Sequence, residues 1–184
     1  MNYFKSPATE LYFSKNDPRD PRLGETFRFS EECARPQNQN IKTPTLTLLG
    51  YPDDDGIKKN GGRVGAAQGP DEIRRWLFKM TAPHSLNASL YDLGNFSDFE
   101  SLDLKDRHEH CSAQLKTALK AGSLGLTLGG GHDYGYPDGK AFLEIFGSPE
   151  LKPLIINFDA HLDVRDLKFG ITSGTPFFRL REEY

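Results

Sequence analysis

Residues 153–163 are PLIINFDAHLD, and this stretch decides the fold. Its first part is a near-continuous apolar run, which is typical of a strand buried in a parallel sheet. Asp159, His161 and Asp163 follow at alternate positions, with no turn in between. While the backbone stays extended, alternate side chains project to one side, so we expect these three to converge. Packing two carboxylates and an imidazole without a cation would be costly, so the pattern predicts a divalent metal site; a solvated acidic loop is the alternative.

A second motif follows another predicted strand. Residues 124–133 are LGLTLGGGHD, so three glycines lead out of the strand and leave His132 at its carboxyl end. Open parallel sheets bind their ligands at that end. No Lys-Ser or Lys-Thr pair follows the glycines, which excludes a phosphate-binding P-loop. Alone, this motif is weak evidence, and a structural role for His132 stays open.

The ligand types narrow the choice of metal. Oxygen and imidazole ligands without thiolate favour Mn²⁺ or Mg²⁺, with Fe²⁺, Co²⁺ and Zn²⁺ as alternatives. Such an ion lowers the pKa of bound water, and a carboxylate that bridges two ions would leave a bridging hydroxide as the nucleophile of a hydrolase.

Strands alternate with helices along the rest of the chain. Short apolar or β-prone runs predict strands at 45–49, 89–93, 124–128 and 153–158. Helices are predicted from Pro70 onward, over 103–121 and over 137–146. This alternation indicates an α/β fold with a parallel sheet. In the first helix we expect one apolar stripe to pack against the core, formed by Ile73, Trp76, Leu77 and Met80.

Residues 1–43 differ in character from residues 44–184. They are polar and punctuated by proline, and their aromatic residues recur without a sustained period. We therefore predict an extended N-terminal arm over 1–43, with a few aromatic anchors, and one α/β domain over 44–184. A flexible tail is the alternative for the arm.

Composition excludes several classes of protein. The chain has 184 residues, enough for one domain, and its 23 basic and 26 acidic residues give a net charge of −3. This balance gives no general attraction to nucleic acid or to an anionic membrane. No apolar run is long enough to span a bilayer, and residues 1–10 do not resemble a signal peptide. Cys33 and Cys111 lack CxxC partners, so we expect a reducing cytoplasm and neither a disulfide framework nor a structural zinc site.

Taken together, the motifs at 129–133 and 159–163 resemble the paired metal motifs of the ureohydrolase family of arginases, agmatinases and formimidoylglutamases. The resemblance runs from about Thr45 to the C-terminus and includes GGRVGAAQGP at 61–70. It implies a three-layer α/β/α fold and two Mn²⁺ ions per complete active site. Residue by residue, it implies that His132 binds one ion and His161 the other, and that Asp159 bridges the two ions. It also implies that Asp163 completes the set of ligands around the first ion, the one that His132 binds. The two aspartates are therefore the expected catalytic residues.

One difference from the family pattern is that part of the ligand set is missing from this sequence. The family's remaining ligands lie in an Asp-x-Asp motif on a later strand, and this chain ends at Tyr184 before such a motif. We therefore expect the N-terminal portion of the fold, without its later strands and with four ligands of six. An inactive, truncated metal-binding fragment is accordingly one alternative function. The oligomeric state stays open, including a homo-oligomer of a full-length protein.

A second departure concerns the substrate. Arginases and agmatinases carry a histidine in the loop after the second motif, whereas no histidine lies between His161 and Tyr184 here. Arg165 stands where arginases have a neutral amide and could clamp a substrate carboxylate. Both features resemble formimidoylglutamase, which hydrolyses N-formimino-L-glutamate to L-glutamate and formamide. Arginase or agmatinase activity, with urea release, is the runner-up, and an ordinary surface cation is the alternative for Arg165.

Two further expectations concern loops near this site. Ser173 and Thr175 are weaker candidates for contact with the substrate. The acidic run 53–55 lacks the spacing of a calcium-binding EF-hand, so we expect it in a loop near the site entrance.

Overall fold

Five strands form one sheet in the computed structural model, which describes residues 3–29 and 43–184. The strands are β1 Phe4–Lys5, β2 Phe27–Phe29, β3 Thr45–Gly50, β4 Ser89–Phe96 and β5 Leu124–Leu128. The helices are α1 Leu23–Thr26, α2 Asp55–Lys59, α3 Gly69–Leu77, α4 Leu104–Lys120, α5 Gly135–Phe146 and α6 Pro176–Glu183. The predicted strands at 45–49, 89–93 and 124–128 and the three predicted helices are confirmed within a few residues at each end.

The sheet is mostly parallel, as predicted. β3 pairs in parallel with β4 on one side and with β5 on the other. β2 also runs parallel to β4, whereas β1 pairs with it antiparallel through Phe4 and Phe96. Because β3, β4 and β5 run the same way, the loops that follow them leave from one edge of the sheet.

Both faces of the sheet are packed. Leu48 and Leu49 are adjacent in β3 and fully buried, but they belong to two different apolar clusters. Adjacent side chains of a strand point to opposite faces, so each cluster lies on its own side of the sheet. Cys111 of α4 is a buried, free cysteine in one of them, and Cys33 lies outside the described residues. This arrangement is the layered packing expected of an α/β domain.

The apolar stripe predicted on α3 is wrong in its orientation. Of the four predicted residues Leu77 packs against the core, whereas Ile73, Trp76 and Met80 are exposed. The helix instead buries Arg74 against the sheet. The reason is a buried ion pair: the Arg74 guanidinium donates two hydrogen bonds of 2.8 Å to Asp92 of β4. This long-range pair sets the helix rotation, which apolar periodicity alone cannot reveal.

The predicted strand at 153–158 has no strand pairing among the described residues. Its side chains alternate in exposure, and Leu154, Ile156 and Phe158 are exposed. An apolar run becomes a strand only where it pairs with a sheet edge, and this run does not pair with the outer edge of β5, the last strand of the described sheet.

The N-terminal segment contributes more regular structure than an extended arm would. Within residues 3–29, β1 and β2 add to β4, and Phe4 and Phe27 are buried as aromatic anchors. Phe13 and Phe29 stay exposed. Residues 30–42 of the predicted arm lie outside the described residues. In the described part of the chain, no helix combines the length and hydrophobicity that crossing a bilayer would require.

Candidate metal centre

Three predicted ligands meet at one point beyond the strand ends. His132, Asp159 and Asp163 each offer a ligand atom, and these atoms lie within 4.8 Å of one another. His132 Nδ1 is 2.5 Å from Asp163 Oδ2 and 3.4 Å from Asp159 Oδ2. An imidazole from one loop and two carboxylates from another thus form a compact cluster.

The fourth predicted ligand, His161, lies beside this cluster. Its Nδ1 is 3.4 Å from Asp159 Oδ1, and its side chain is 80% exposed. The two oxygens of Asp159 therefore face different histidines. The His161 backbone N–H also donates to Asp159 Oδ1 at 2.7 Å, and this hydrogen bond, with the nearby His132 ring, lowers the pKa of Asp159.

The backbone that carries these ligands is bent, so the expectation that residues 159–163 stay extended is wrong. The chain bends at 159–161, and Asp163 has a φ of 50°, in the left-handed region that aspartate tolerates better than most residues. Asp159 and Asp163 converge on His132 through these bends. Strict alternation would have placed His161 with them.

His132 lies on a turn that is tied to the body of the domain. The turn, His132–Tyr134, is a short 3-10 helix directly before α5. Asp53 holds it at two points, because its carbonyl accepts from the Gly131 N–H at 2.9 Å and its carboxylate accepts from the Tyr134 hydroxyl at 2.7 Å. Asp53 is itself buried and paired with Arg107 at 3.0 Å. The sequence predicts the acidic run 53–55 in a loop near the site entrance. The structure instead buries Asp53 against the turn that carries His132.

Helix α6 supports both ligand loops. The ring of Phe177 meets the His132 ring edge to face, with centroids 5.8 Å apart. The Phe177 backbone N–H donates to the Asp163 carbonyl at 3.2 Å. Sequence reasoning did not identify Phe177, and its position directly after Pro176 at the start of a helix gives no signal for such a role.

The donor set fits a divalent cation. His132 Nδ1 is buried and makes no hydrogen bond, even though a carboxylate oxygen lies close to it. A lone-pair nitrogen that faces carboxylate oxygens is stabilised by a positive charge between them. Nitrogen and oxygen donors without thiolate suit Mn²⁺ and similar ions.

A cleft of about 500 Å³ is lined by residues that include Lys59, Asn60 and Arg165. Arg165 donates from its guanidinium to Asn60 Oδ1 at 2.6 Å, and Asn60 Nδ2 donates to Ser173 Oγ at 3.0 Å. Asn60 thus links two residues that the sequence predicted as substrate contacts. Sequence reasoning missed it, since an asparagine at the end of a short helix is common and carries no distinctive pattern.

Thr175, also predicted as a substrate contact, has a different place. It is buried, and its hydroxyl donates to the Thr172 carbonyl at 2.8 Å and accepts from the Thr172 N–H at 3.2 Å. These bonds close the turn before α6. Its hydroxyl is therefore satisfied within the protein and is not available to a substrate.

Comparison with known proteins gives the class of this chain. A family model described as the arginase family matches residues 45–184. The chain belongs to the arginase family, as the motifs implied, and has its α/β fold.

Individual proteins that this chain is similar to have more specific names than the family. A curated formimidoylglutamase from Enterobacter sp. (strain 638) is 38% identical over 186 residues, which cover 99% of this chain and 56% of the relative. A crystal structure of Trypanosoma cruzi formiminoglutamase with Mn²⁺ is 34% identical with a TM-score of 0.70, covering 89% of this chain and 53% of that one. The formimidoylglutamase of Bacillus subtilis is 28% identical with a TM-score of 0.72, covering 93% and 51%. The chain thus spans about half the length of the relatives it matches.

Proposed function

We propose that this chain carries the metal-binding half of a hydrolase that cleaves the C–N bond of a linear amidine, with N-formimino-L-glutamate as substrate and L-glutamate and formamide as products. The observation that carries the proposal is the meeting of His132, Asp159 and Asp163 in one compact cluster, together with a cleft lined by Arg165, which is two residues after Asp163 in the chain. The relatives named formimidoylglutamase or formiminoglutamase, one of them solved with Mn²⁺, support the same activity.

In this proposal His132 and Asp163 would hold one Mn²⁺ and His161 would hold the other, and Asp159, whose two oxygens face the two histidines, would contribute to both sites. Manganese held there supplies Lewis acidity, which generates a nucleophile from water near neutral pH. The low pKa of Asp159 keeps its carboxylate ionised and ready to bind a cation across the neutral range.

The cationic cleft selects the substrate. N-formimino-L-glutamate carries two carboxylates, and the cleft presents two cations, Lys59 and Arg165, beside one anion, Asp166. Asn60 orients the guanidinium of Arg165 by accepting one of its N–H groups, which leaves others to clamp a carboxylate. Arginine has one carboxylate and agmatine has none, so the cations of this cleft favour N-formimino-L-glutamate over both.

The activity is tested by incubating the purified chain with Mn²⁺ and N-formimino-L-glutamate, L-arginine or agmatine in parallel. We expect formamide and glutamate from the first substrate and little urea from the other two. Arg165→Met should raise KM for N-formimino-L-glutamate by about 10-fold or more, because a charged hydrogen bond to the substrate is lost. Arg181→Met, at an exposed arginine of α6 paired with Glu182, is the matched control and should leave KM unchanged. A preference for arginine or agmatine would contradict the proposed substrate.

A second candidate function is metal binding without turnover. It is favoured by the cluster itself, in which three ligand atoms converge while His161 stays exposed. Manganese bound at His132 with no product from any of the three substrates would support this candidate and overturn the hydrolase proposal for this chain.

A further inference from the structure

A buried carboxylate lies directly behind His132. Asp133, the next residue, is 1% exposed, and its Oδ2 is 2.9 Å from Nε2 of the buried His108. The other oxygen fills the space that two glycines leave open, since a Cβ at Gly56 would lie 2.1 Å from Asp133 Oδ1 and a Cβ at Gly131 2.2 Å from it. The turn is therefore anchored inward by Asp133 while His132 faces the other ligands.

The hydrogen bonds behind Asp133 have a definite direction. The guanidinium of Arg179, in α6, lies 2.8 Å from His108 Nδ1. Arginine has only donors, so Nδ1 must accept and the ring proton must be on Nε2, from which it is donated to Asp133. Burial also lowers the pKa of His108, in keeping with a neutral ring. Arg179 is fixed in turn by the ring of Tyr136, 3.3 Å from its central carbon.

Three elements thus meet behind the turn. His108 comes from the middle of α4, Arg179 from α6, and Asp133 from the turn itself. The side chains of these residues are almost entirely buried, so their hydrogen bonds do not compete with bulk water. Removing one of these partners would leave a buried donor or acceptor unpaired, and this cost favours a single arrangement of the three side chains.

We propose that His108 and Arg179 are positioning residues for His132: the chain of hydrogen bonds from Arg179 through His108 to Asp133 fixes the turn, so that His132 Nδ1 stays aimed at Asp159 and Asp163. The proposal rests on the proposed role of His132 as a metal ligand. Residues that orient a ligand from behind typically change metal affinity by about 10- to 100-fold when they are replaced.

The test compares three variants with a matched control. His108→Leu removes both hydrogen bonds at similar volume, and His108→Gln keeps a donor for Asp133 and an acceptor for Arg179. Arg179→Met keeps the contact with Tyr136 but frees His108 Nδ1. The control is His110→Leu, two residues along the same helix, where the ring stacks on Tyr3 with centroids 4.1 Å apart.

Two readouts separate positioning from simple packing. Free Mn²⁺ measured by electron paramagnetic resonance gives the affinity, and hydrogen–deuterium exchange gives the protection of the backbone amides of 131–134. We expect His108→Leu and Arg179→Met to weaken Mn²⁺ binding by about 10- to 100-fold and to speed exchange in that turn. His108→Gln should restore most of both properties, and His110→Leu should change neither.

The outcomes separate this proposal from the proposed function. If folded Arg179→Met and His108→Leu bind Mn²⁺ as tightly as the unchanged chain, or if His108→Gln fails to rescue, the positioning role is wrong. If His108→Leu does not fold, Arg179→Met and His108→Gln decide. If the unchanged chain binds no Mn²⁺ at His132, the proposed function fails, and unchanged exchange at 131–134 in Arg179→Met would still overturn the positioning role.

Discussion

The two sides of the candidate metal centre are built differently. His132 lies on a turn whose next two residues, Asp133 and Tyr134, are buried and hydrogen-bonded to the body of the domain. Asp159 follows an unpaired segment in which Phe158 is 94% exposed and Leu154 76% exposed. One half of the site is thus part of the core, and the other half is exposed. Substitutions behind His132 should therefore change both stability and cation binding, whereas those in residues 154–163 should change cation binding with little effect on stability.

The largest effect is expected at the ion pair that orients α3. Arg74→Met leaves the Asp92 carboxylate buried without its partner, which costs about 3–5 kcal/mol. This loss is a large fraction of the roughly 5–15 kcal/mol that stabilises a typical domain, so urea unfolding should show a much lower midpoint. Arg75→Met removes an exposed pair with Glu72 on the same helix and should change stability by less than about 1 kcal/mol. Equal effects of the two substitutions would contradict the packing described for α3.

The next effect depends on pH and concerns Asp138 of α5. Tyr51 and Thr127 donate to its carboxylate, yet burial raises its pKa from 3.8 to about 6. The folded state therefore binds this proton more tightly than the unfolded state does. The ionised carboxylate destabilises the fold fully above pH 6, and the penalty disappears as pH falls toward 4.

Asp138→Asn removes this dependence and so provides the measurement. Relative to the variant, the unchanged chain should lose at most about 1.4 kcal/mol of unfolding free energy per pH unit between pH 4 and 6. Asp106→Asn, at an exposed position of α4, serves as the control. A stability difference between the Asp138→Asn variant and the unchanged chain that stays constant from pH 4 to pH 7 would show that Asp138 is not buried as described.

A smaller effect is expected behind the turn itself. Gly56→Ala would place a methyl group 2.1 Å from the Asp133 carboxylate, and such overpacking costs about 1–3 kcal/mol. At Gly69, also helical, the nearest heavy atom to an added Cβ is 3.8 Å away, so Gly69→Ala should be neutral or slightly stabilising. Thermal melts of the two variants check this difference, and a stable Gly56→Ala would mean that Asp133 does not fill that space.

The smallest effect is expected on the exposed side. Phe158→Ser should change the free energy of unfolding by less than about 0.5 kcal/mol, because the ring is nearly free of contacts. Chemical denaturation measures this directly. A loss of several kcal/mol would show that the segment is packed in solution and that the contrast between the two sides is wrong.

The sequence predicted the local elements well because local signals decide them. Short apolar or β-prone runs predicted β3, β4 and β5, and the predicted helix over 103–121 matches α4 within one residue at each end. The two motifs also predicted that His132, Asp159 and Asp163 would lie close together, whereas His161, predicted to converge with the aspartates, lies beside their cluster.

The predictions failed where distant residues decide the outcome. The pair of Arg74 with Asp92 rotates α3, and 153–158 stays unpaired although the outer edge of β5 has no partner strand among the described residues. Within the site, Asp53, Asn60 and Phe177 act through contacts across the fold. Such contacts depend on tertiary packing, which the spacing of residues along the chain does not encode.

The central claim is that His132, Asp159 and Asp163 meet around a cation. A crystal of the chain soaked in MnCl₂, with data collected for the anomalous signal of manganese, tests it most directly. We expect an anomalous peak between His132 Nδ1 and the carboxylates of Asp159 and Asp163, and its loss in Asp163→Asn. A crystal saturated with Mn²⁺ that shows no peak there, or that holds the three side chains apart, would contradict the claim.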